Sequence, residues 1–193
     1  QLAASLARES SWDGSIVALR AVTESSKPGI TPQYVEDEES PIVLNQKCVR
    51  GERASLGPSR RTAESTLRTD KLLRHGDVLV NSTGQGTLGR VARWTGNGRV
   101  TVDSHITLVR FDQSKVNPTF AGFATLPLAT AIEALAEGST GQTELRRAQL
   151  LDLTLRLPSM EVQSTVRLRL DELALPVDSL EVESERLAVT RDA

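Results

Sequence analysis

The stretch from Gly76 to Arg110, GDVLVNSTGQGTLGRVARWTGNGRVTVDSHITLVR, constrains the fold of this chain more than any other. It opens on a Gly-Asp turn and a short apolar run, Val78-Leu79-Val80. Asn81 to Gly89 are rich in Gly, Ser and Thr, and Arg90 closes that loop. Val91-Ala92 resumes the apolar track. Thr95-Gly96-Asn97-Gly98 carries a hairpin signal, because Asn-Gly accepts the positive φ that tight β-turns require. Val100 to Val102 and Ile106 to Val109 are rich in β-branched residues and read as further strands. The centre of the chain is expected to be a compact β-meander with one glycine-rich loop and arginines at its edges.

The chain of 193 residues fits one domain plus an appendage, or at most two small domains. Aromatic content is 3% and hydrophobic content 38%, so the core has to be aliphatic. No apolar run approaches the ~18 residues of a membrane span. The N-terminus lacks a basic-then-apolar signal pattern. Cys48 is the only cysteine, which excludes an internal disulfide and a cysteine-based zinc cage and fits a reducing compartment. Together these features point to a cytoplasmic chain. The net charge of −2 argues against a polyanion partner, but its distribution argues for one. Residues 1–46 hold three Lys/Arg against seven Asp/Glu; residues 47–110 hold twelve against five; residues 111–193 hold eight against thirteen. A basic middle third, net +7, thus lies between flanks of −4 and −5. Screening erases distant charge within about 8–10 Å, so a local positive field outweighs the total for a polyanion. The competing reading is a solvated surface of mixed charge.

Residues 1–11 read as a helical tail or as an edge that is not part of the fold. Ile16, Val17 and Leu19 form a strand candidate after Trp12. Lys27 to Pro32 are a turn-rich loop whose two prolines forbid a helix. Glu36 to Glu39 are a solvated acidic cluster, and Ile42-Val43-Leu44 a buried strand. Gly51 to Leu67 read as a polar, irregular loop with Arg53, Arg60 and Arg61, either an ordinary surface loop or a contact for phosphates and bases. Phe111 to Thr125 connect outward through Asn117-Pro118. Leu128, Ile132 and Leu135 fall at helical spacing, with Gly138 at the expected C-cap. Glu144 to Gln149 form a short helical piece, and Leu151, Leu153, Leu155 and Leu157 alternate as a half-buried strand ended by Pro158. Beyond it, Val166, Leu173, Leu180 and Leu187 recur every seven residues with Leu170 and Val177 between them. This a/d stripe predicts a helix that packs on another helix. Pro176 should kink or restart it. A lone helix of this length is marginal in water. Its partner is another part of this chain, a second copy, or a region outside this sequence.

Several chemistries are disfavoured. The Asn81 to Gly89 loop lacks the Gly-Lys-Ser/Thr ending of a phosphate loop and leads into a strand. Asp103-Ser104-His105 holds triad residue types, but consecutive strand residues point to alternating faces and form no relay. His75 and His105 lie 30 apart without a ligand pattern, so no metal site is expected. Lys47 and Arg50 beside Cys48 could acidify its thiol, although a buried structural thiol is the favoured reading. No acid, base and oxyanion donors assemble into a catalytic set.

Taken in order, these pieces resemble the DNA-specificity (S) subunits of Type I restriction–modification systems. The strings are Gly76 to Gly84, Gly86-Thr-Leu-Gly89-Arg90 and Val102-Asp103-Ser104-His105-Ile106-Thr107. Gly29-Ile30-Thr31-Pro32 and Leu44-Asn45-Gln46 agree upstream. Gly138 to Leu145, Leu157-Pro158 and Gln163 agree downstream. The resemblance covers roughly residues 12–175.

The resemblance implies an α+β fold, a twisted β-sheet with flanking helices followed by a long coiled-coil-type helix. Residues 12–159 would be one target-recognition domain and 160–193 a spacer helix. That helix, through Val166, Leu170, Leu173, Val177, Leu180 and Leu187, would pair with a second such module or a second copy. The implied partners are double-stranded DNA, a DNA adenine methyltransferase subunit and a restriction subunit. No cofactor, metal or activity of the chain's own is implied. Arginine, asparagine and glutamine have the bidentate geometry that suits guanine or adenine. Arg50, Arg53, Arg60, Arg61, Arg68, Lys71 and Arg74 are therefore the expected DNA contacts. Gly76, Asp77, Gly84, Gly89 and Asp103 are expected to be architectural. Arg90 is expected either to be architectural or to touch a phosphate. The alternatives are a non-catalytic protein-interaction scaffold and the recognition domain of a fused DNA methylase.

Overall fold

The computed structural model describes residues 13–136, 144–170 and 172. In chain order, β1 (Gly14–Ala18) leads through one helical turn, α1 (Leu19–Val22), into β2 (Thr23–Pro28). Strands β3 (Tyr34–Val35), β4 (Ile42–Leu44), β5 (Arg60–Thr62), β6 (Val78–Asn81), β7 (Val91–Arg93), β8 (Val100–Val102) and β9 (Ile106–Phe111) follow. Helices α2 (Pro118–Thr125), α3 (Ala129–Ala134) and α4 (Arg147–Asp152) precede β10 (Thr154–Pro158). Residues 160–170 are helical and form α5. The result is a mixed α+β fold with several sheets.

The central sheet has the order β2-β9-β6-β7 and a core on each face. Alternation along a strand explains how one apolar run serves two cores. Val78 and Val80 enter a core with Leu19, Phe120 and Phe123, while Leu79 enters another with Leu44, Trp94 and Val102. Val109 and Phe111 join the first; Ile106 and Leu108 join the second. Helical residues of α1 to α5 contribute to the first core. The second lies between the central sheet and a second sheet, β3-β5-β4-β8. A two-stranded antiparallel sheet, β1-β10, completes the fold.

Several expectations change, beginning with Leu19, expected in a strand and found in α1. β8 leaves the central stretch and runs parallel to β4, so β9 pairs with β6 and β2 instead of continuing a meander. Thr95 to Gly98 consequently join strands of different sheets, and the ring of Trp94 closes over Gly96. The outward connection before Thr125 contains α2. Its cap is the Asn117 side chain, which accepts from Phe120 N (3.2 Å), with Pro118 in the first turn, where a missing N–H costs nothing. The leucine alternation from Leu151 is split, with Leu151 in α4 and Leu155 and Leu157 in β10.

The described part of the C-terminal helix is anchored to this domain. Gln163 is 1% exposed; its Nε2 donates to Pro158 O (2.8 Å) and its Oε1 accepts from Asn117 N (2.9 Å). Val166 and Leu170 are buried in the chain's own first core. For these two positions of the stripe the packing partner is intramolecular. Leu173, Val177, Leu180 and Leu187, like Pro176, Gly138 and the 1–11 tail, lie outside the described residues.

One buried ion pair fixes the entry to the central sheet. The antiparallel register puts Val78 opposite Val109, hence Asp77 opposite Arg110. Arg110 Nε and Nη2 donate to the two Asp77 carboxylate oxygens at 2.9 and 2.6 Å, and Nη2 also reaches Leu72 O at 2.8 Å. Arg74 N donates to the same carboxylate at 2.7 Å. The side chains are 8% and 2% exposed, so removing one partner strands a charge in the interior. Arg110→Ala or Asp77→Ala is therefore expected to lower unfolding free energy by about 3–5 kcal/mol, read from urea denaturation. A loss below about 1 kcal/mol, the range of an exposed pair, would contradict this role.

Candidate nucleic-acid interface

Motif pieces far apart in sequence meet at one end of the central sheet. Gly29 N donates to Ile106 O (3.0 Å), Ile30 N to Val102 O (2.9 Å) and Asp103 N to Leu44 O (2.9 Å). Gly29 lies so close to this turn that a Cβ there would sit 2.1 Å from Asp103 O. Gln46 Nε2 donates to Thr83 O (2.5 Å), and Asn81 Nδ2 donates to Gln46 O (3.1 Å). Thr83 Oγ1 and His105 Nδ1 share a hydrogen bond of 2.8 Å. Leu145 N donates to Ser82 O at 2.8 Å. The motifs thus form a single cross-linked hub.

Within the hub, Ser104 and His105 lie on the turn between β8 and β9, not on a strand as expected. Asp103 accepts from His105 N at 3.0 Å, while the His105 ring is bonded to Thr83. Burial raises the Asp103 pKa; the His105 N–H opposes that rise. The glycine loop is tied down as well. Gly84 and Gly89 have φ of +99° and +87°, and a Cβ on Gly89 would sit 2.8 Å from the backbone of Glu133. Arg90 Nη2 donates to Gly86 O (2.9 Å), closing the loop on itself.

Within the stretch expected to be an irregular loop, residues 51–59 hold only bends, turns and isolated bridges, whereas Arg60–Thr62 form β5 and Glu64–Thr66 a single 3-10 turn. Asn45 accepts from Lys47 N and donates to Pro58 O (2.6 Å), and β5 inserts between β3 and β4. The expected contact residues then separate by what their side chains do. Lys71 Nζ donates to Gly29 O (2.7 Å), and Arg61 Nη1 donates to Ser40 O (2.7 Å), so both brace the scaffold. Arg53 is half-buried and bridges to Arg93 through the backbone. Arg50 and Arg60 are exposed, the latter with its guanidinium 3.5 Å from the ring centroid of Tyr34. Arg68 and Arg74 have 69% and 62% of their side chains exposed, with Asp70 and Glu24 at 3.8 and 3.9 Å. Such exposed pairs hold weakly and release readily to a phosphate.

Part of the basic middle third is internal. Arg110 is neutralised by Asp77, and Arg93 is buried with its guanidinium over Phe123. Strand alternation was the available signal for Arg110, since its neighbours Val109 and Phe111 are core residues and its cross-strand partner is acidic. Sequence reasoning also passed over Lys27, which pairs with Asp70 at 3.0 Å, and Arg147, which donates to Ser26 O at 3.1 Å. Among the described residues, no cluster of three metal-ligating side chains occurs, and no helix is long and apolar enough to cross a membrane.

Solved structures that share this fold include the following three. The S subunit of a Type-I restriction-modification system from M. genitalium matches with a TM-score of 0.66 at 16% identity, over 95% of this chain and 44% of that one. The HsdS subunit from Thermoanaerobacter tengcongensis matches with a TM-score of 0.60 at 14% identity, over 96% and 47%. A chain from a structure concerning complex assembly and conformational transition of the type I R-M system matches with a TM-score of 0.59 at 15% identity, over 92% and 43%. The chain therefore has the fold of Type I specificity subunits and spans less than half the length of each. No protein-family model and no curated protein sequence matches it.

Cys48 is fully buried, and its flanking cations do not acidify it. Burial pushes the thiol up to about 11, against a hydrogen bond from Asn45 N that acts the other way. The folded-state value lies above the unfolded one. Its contribution to stability is thus complete below about pH 9 and falls by roughly 2–3 kcal/mol as pH rises toward 11. Iodoacetamide at pH 8 should leave the native thiol intact and alkylate it rapidly in urea. Fast native alkylation would contradict the buried assignment.

Proposed function

We propose that this chain is a sequence-specific DNA recognition module of a restriction–modification or related methylation-based defence system. It reads one half of a bipartite site and positions an adenine methyltransferase subunit and a restriction subunit there. The observation that carries this reading is the specificity-subunit fold over 95% of the chain, combined with arginines displayed on an ordered support. A reader without chemistry of its own needs scattered cations for phosphates and planar polar groups for base edges. Arg50, Arg68 and Arg74 supply the first: Arg68 and Arg74 stand in loose surface ion pairs, and Arg50 in none among the described residues. Lys71, Arg61 and Arg90 act behind them by holding the backbone. The domain would span 12–159. The spacer would begin at α5, locked to the domain by Gln163, Val166 and Leu170, so that its direction is fixed before any second copy or second module pairs with the later stripe.

Phosphate contacts make binding salt-dependent, with a slope of log K on log salt of about −0.9 per contact. The chain should shift random duplexes in electrophoresis at low salt. The combined Arg50→Glu, Arg68→Glu and Arg74→Glu variant should weaken that shift and flatten the salt slope by roughly 2–3, with its melting curve preserved. If no duplex is bound at low salt, with the methyltransferase subunit also supplied, the proposal is wrong.

A further inference from the structure

We infer that Arg60, held flat against Tyr34, is the specificity-determining residue of this surface and takes the edge of a guanine in the major groove. The inference rests on the recognition reading above and assigns it a particular side chain. Arg60 belongs to β5, whose backbone is paired on both sides, to β3 through Tyr34↔Thr62 and to β4 through Val43↔Arg60. Its Cα is therefore as fixed as the sheet. Tyr34 is the diagonal neighbour on the same face, within reach of a long side chain. The guanidinium carbon lies 3.5 Å from the Tyr34 ring centroid. Stacking occupies the flat face of the guanidinium and leaves its N–H fork free at the rim. That plane matches the paired O6 and N7 acceptors of guanine.

The neighbouring cations differ. Arg61 faces the other side of the strand and spends its guanidinium on Ser40 O. Arg68 and Arg74 sit near Asp70 and Glu24 on long, unstacked side chains. Arg60 is in no ion pair among the described residues. A phosphate can be held by a mobile cation, in one of several geometries, whereas reading the paired acceptors of a base edge depends on a fork held in one plane. Tyr34 is then a positioning residue: 40% exposed, in a chain with one tyrosine, it presents its ring face to the guanidinium.

The test is selection of bound duplexes from a randomised pool by the full chain, followed by titration of the selected site and its single-base variants. Wild type should require G·C at one position by roughly ten-fold or more. Arg60→Lys keeps the charge and loses the fork; it should abolish that preference, leaving the salt slope and the other positions unchanged. Tyr34→Leu should weaken the preference at the same position only. Both side chains are exposed, and matching melting curves would show that the variants fold. If Arg60→Lys selects the same site as wild type with equal stringency, the inference fails while the recognition reading stands. If Arg60→Ala weakens all sequences alike and lowers the salt slope by about one, Arg60 is a phosphate contact and the inference also fails. If wild type selects no sequence at all, the recognition reading fails and the inference with it.

Discussion

Strands β6 and β9 have to satisfy two cores at once. Each is short and buried along its whole length, so neighbouring residues must be apolar, or paired, on opposite faces. This is why the runs read as unbroken β-branched sequence instead of alternating patterns. It also explains the Asp77–Arg110 pair. Once Val109 and Phe111 point into the helical core, Arg110 is forced to the other face, and a bidentate carboxylate is the partner that makes its burial tolerable. The turn opened by Gly76 is held by the same carboxylate through Arg74 N.

The hub depends on that sheet. Gly29, Gln46, Asp103 and the Asn81–Thr83 stretch come from four separate segments, and none of their hydrogen bonds could form unless both sheets were in register. The consequence for the surface is rigidity. Lys71 and Arg61 tie the segment between Asn45 and Arg74 to the carbonyls of Gly29 and Ser40, despite its polar composition. A rigid polar surface is what allows particular arginines to differ in role. On a disordered loop Arg60 and Arg68 would be equivalent.

Much of this was legible in the sequence. β4, β6 and β9 announce themselves as β-branched runs between turn signals, and Leu128 and Ile132 mark a helix through their spacing. The parallel partner of β8 was not legible, because Ile42 and Val100 are joined by tertiary register that no local pattern encodes. Asn117-Pro118 misled for a specific reason: it marks a helix start as readily as a break, and Phe120 and Phe123 fill a core that only the folded chain defines. Charge was legible as a sum and not as a surface. Arg93 and Arg110 count toward the basic third yet lie inside. Nothing local separates Lys71, bound to Gly29 O, from Arg68, which is open to solvent. Arg60 could be counted as a cation from sequence, but its stack on Tyr34 depends on the β3–β5 register.

The central claim is that a prebuilt scaffold displays the basic face between Asn45 and Arg74 to duplex DNA. Hydrogen exchange of the full chain, followed by mass spectrometry with and without bound duplex, addresses it directly. Amides of β6, β9 and the hub should already be protected in the free chain, and duplex should slow exchange in the segments around Arg50, Arg60 and Arg74. Protection by duplex confined to α2 to α5, or a hub that exchanges freely until DNA is added, would contradict it.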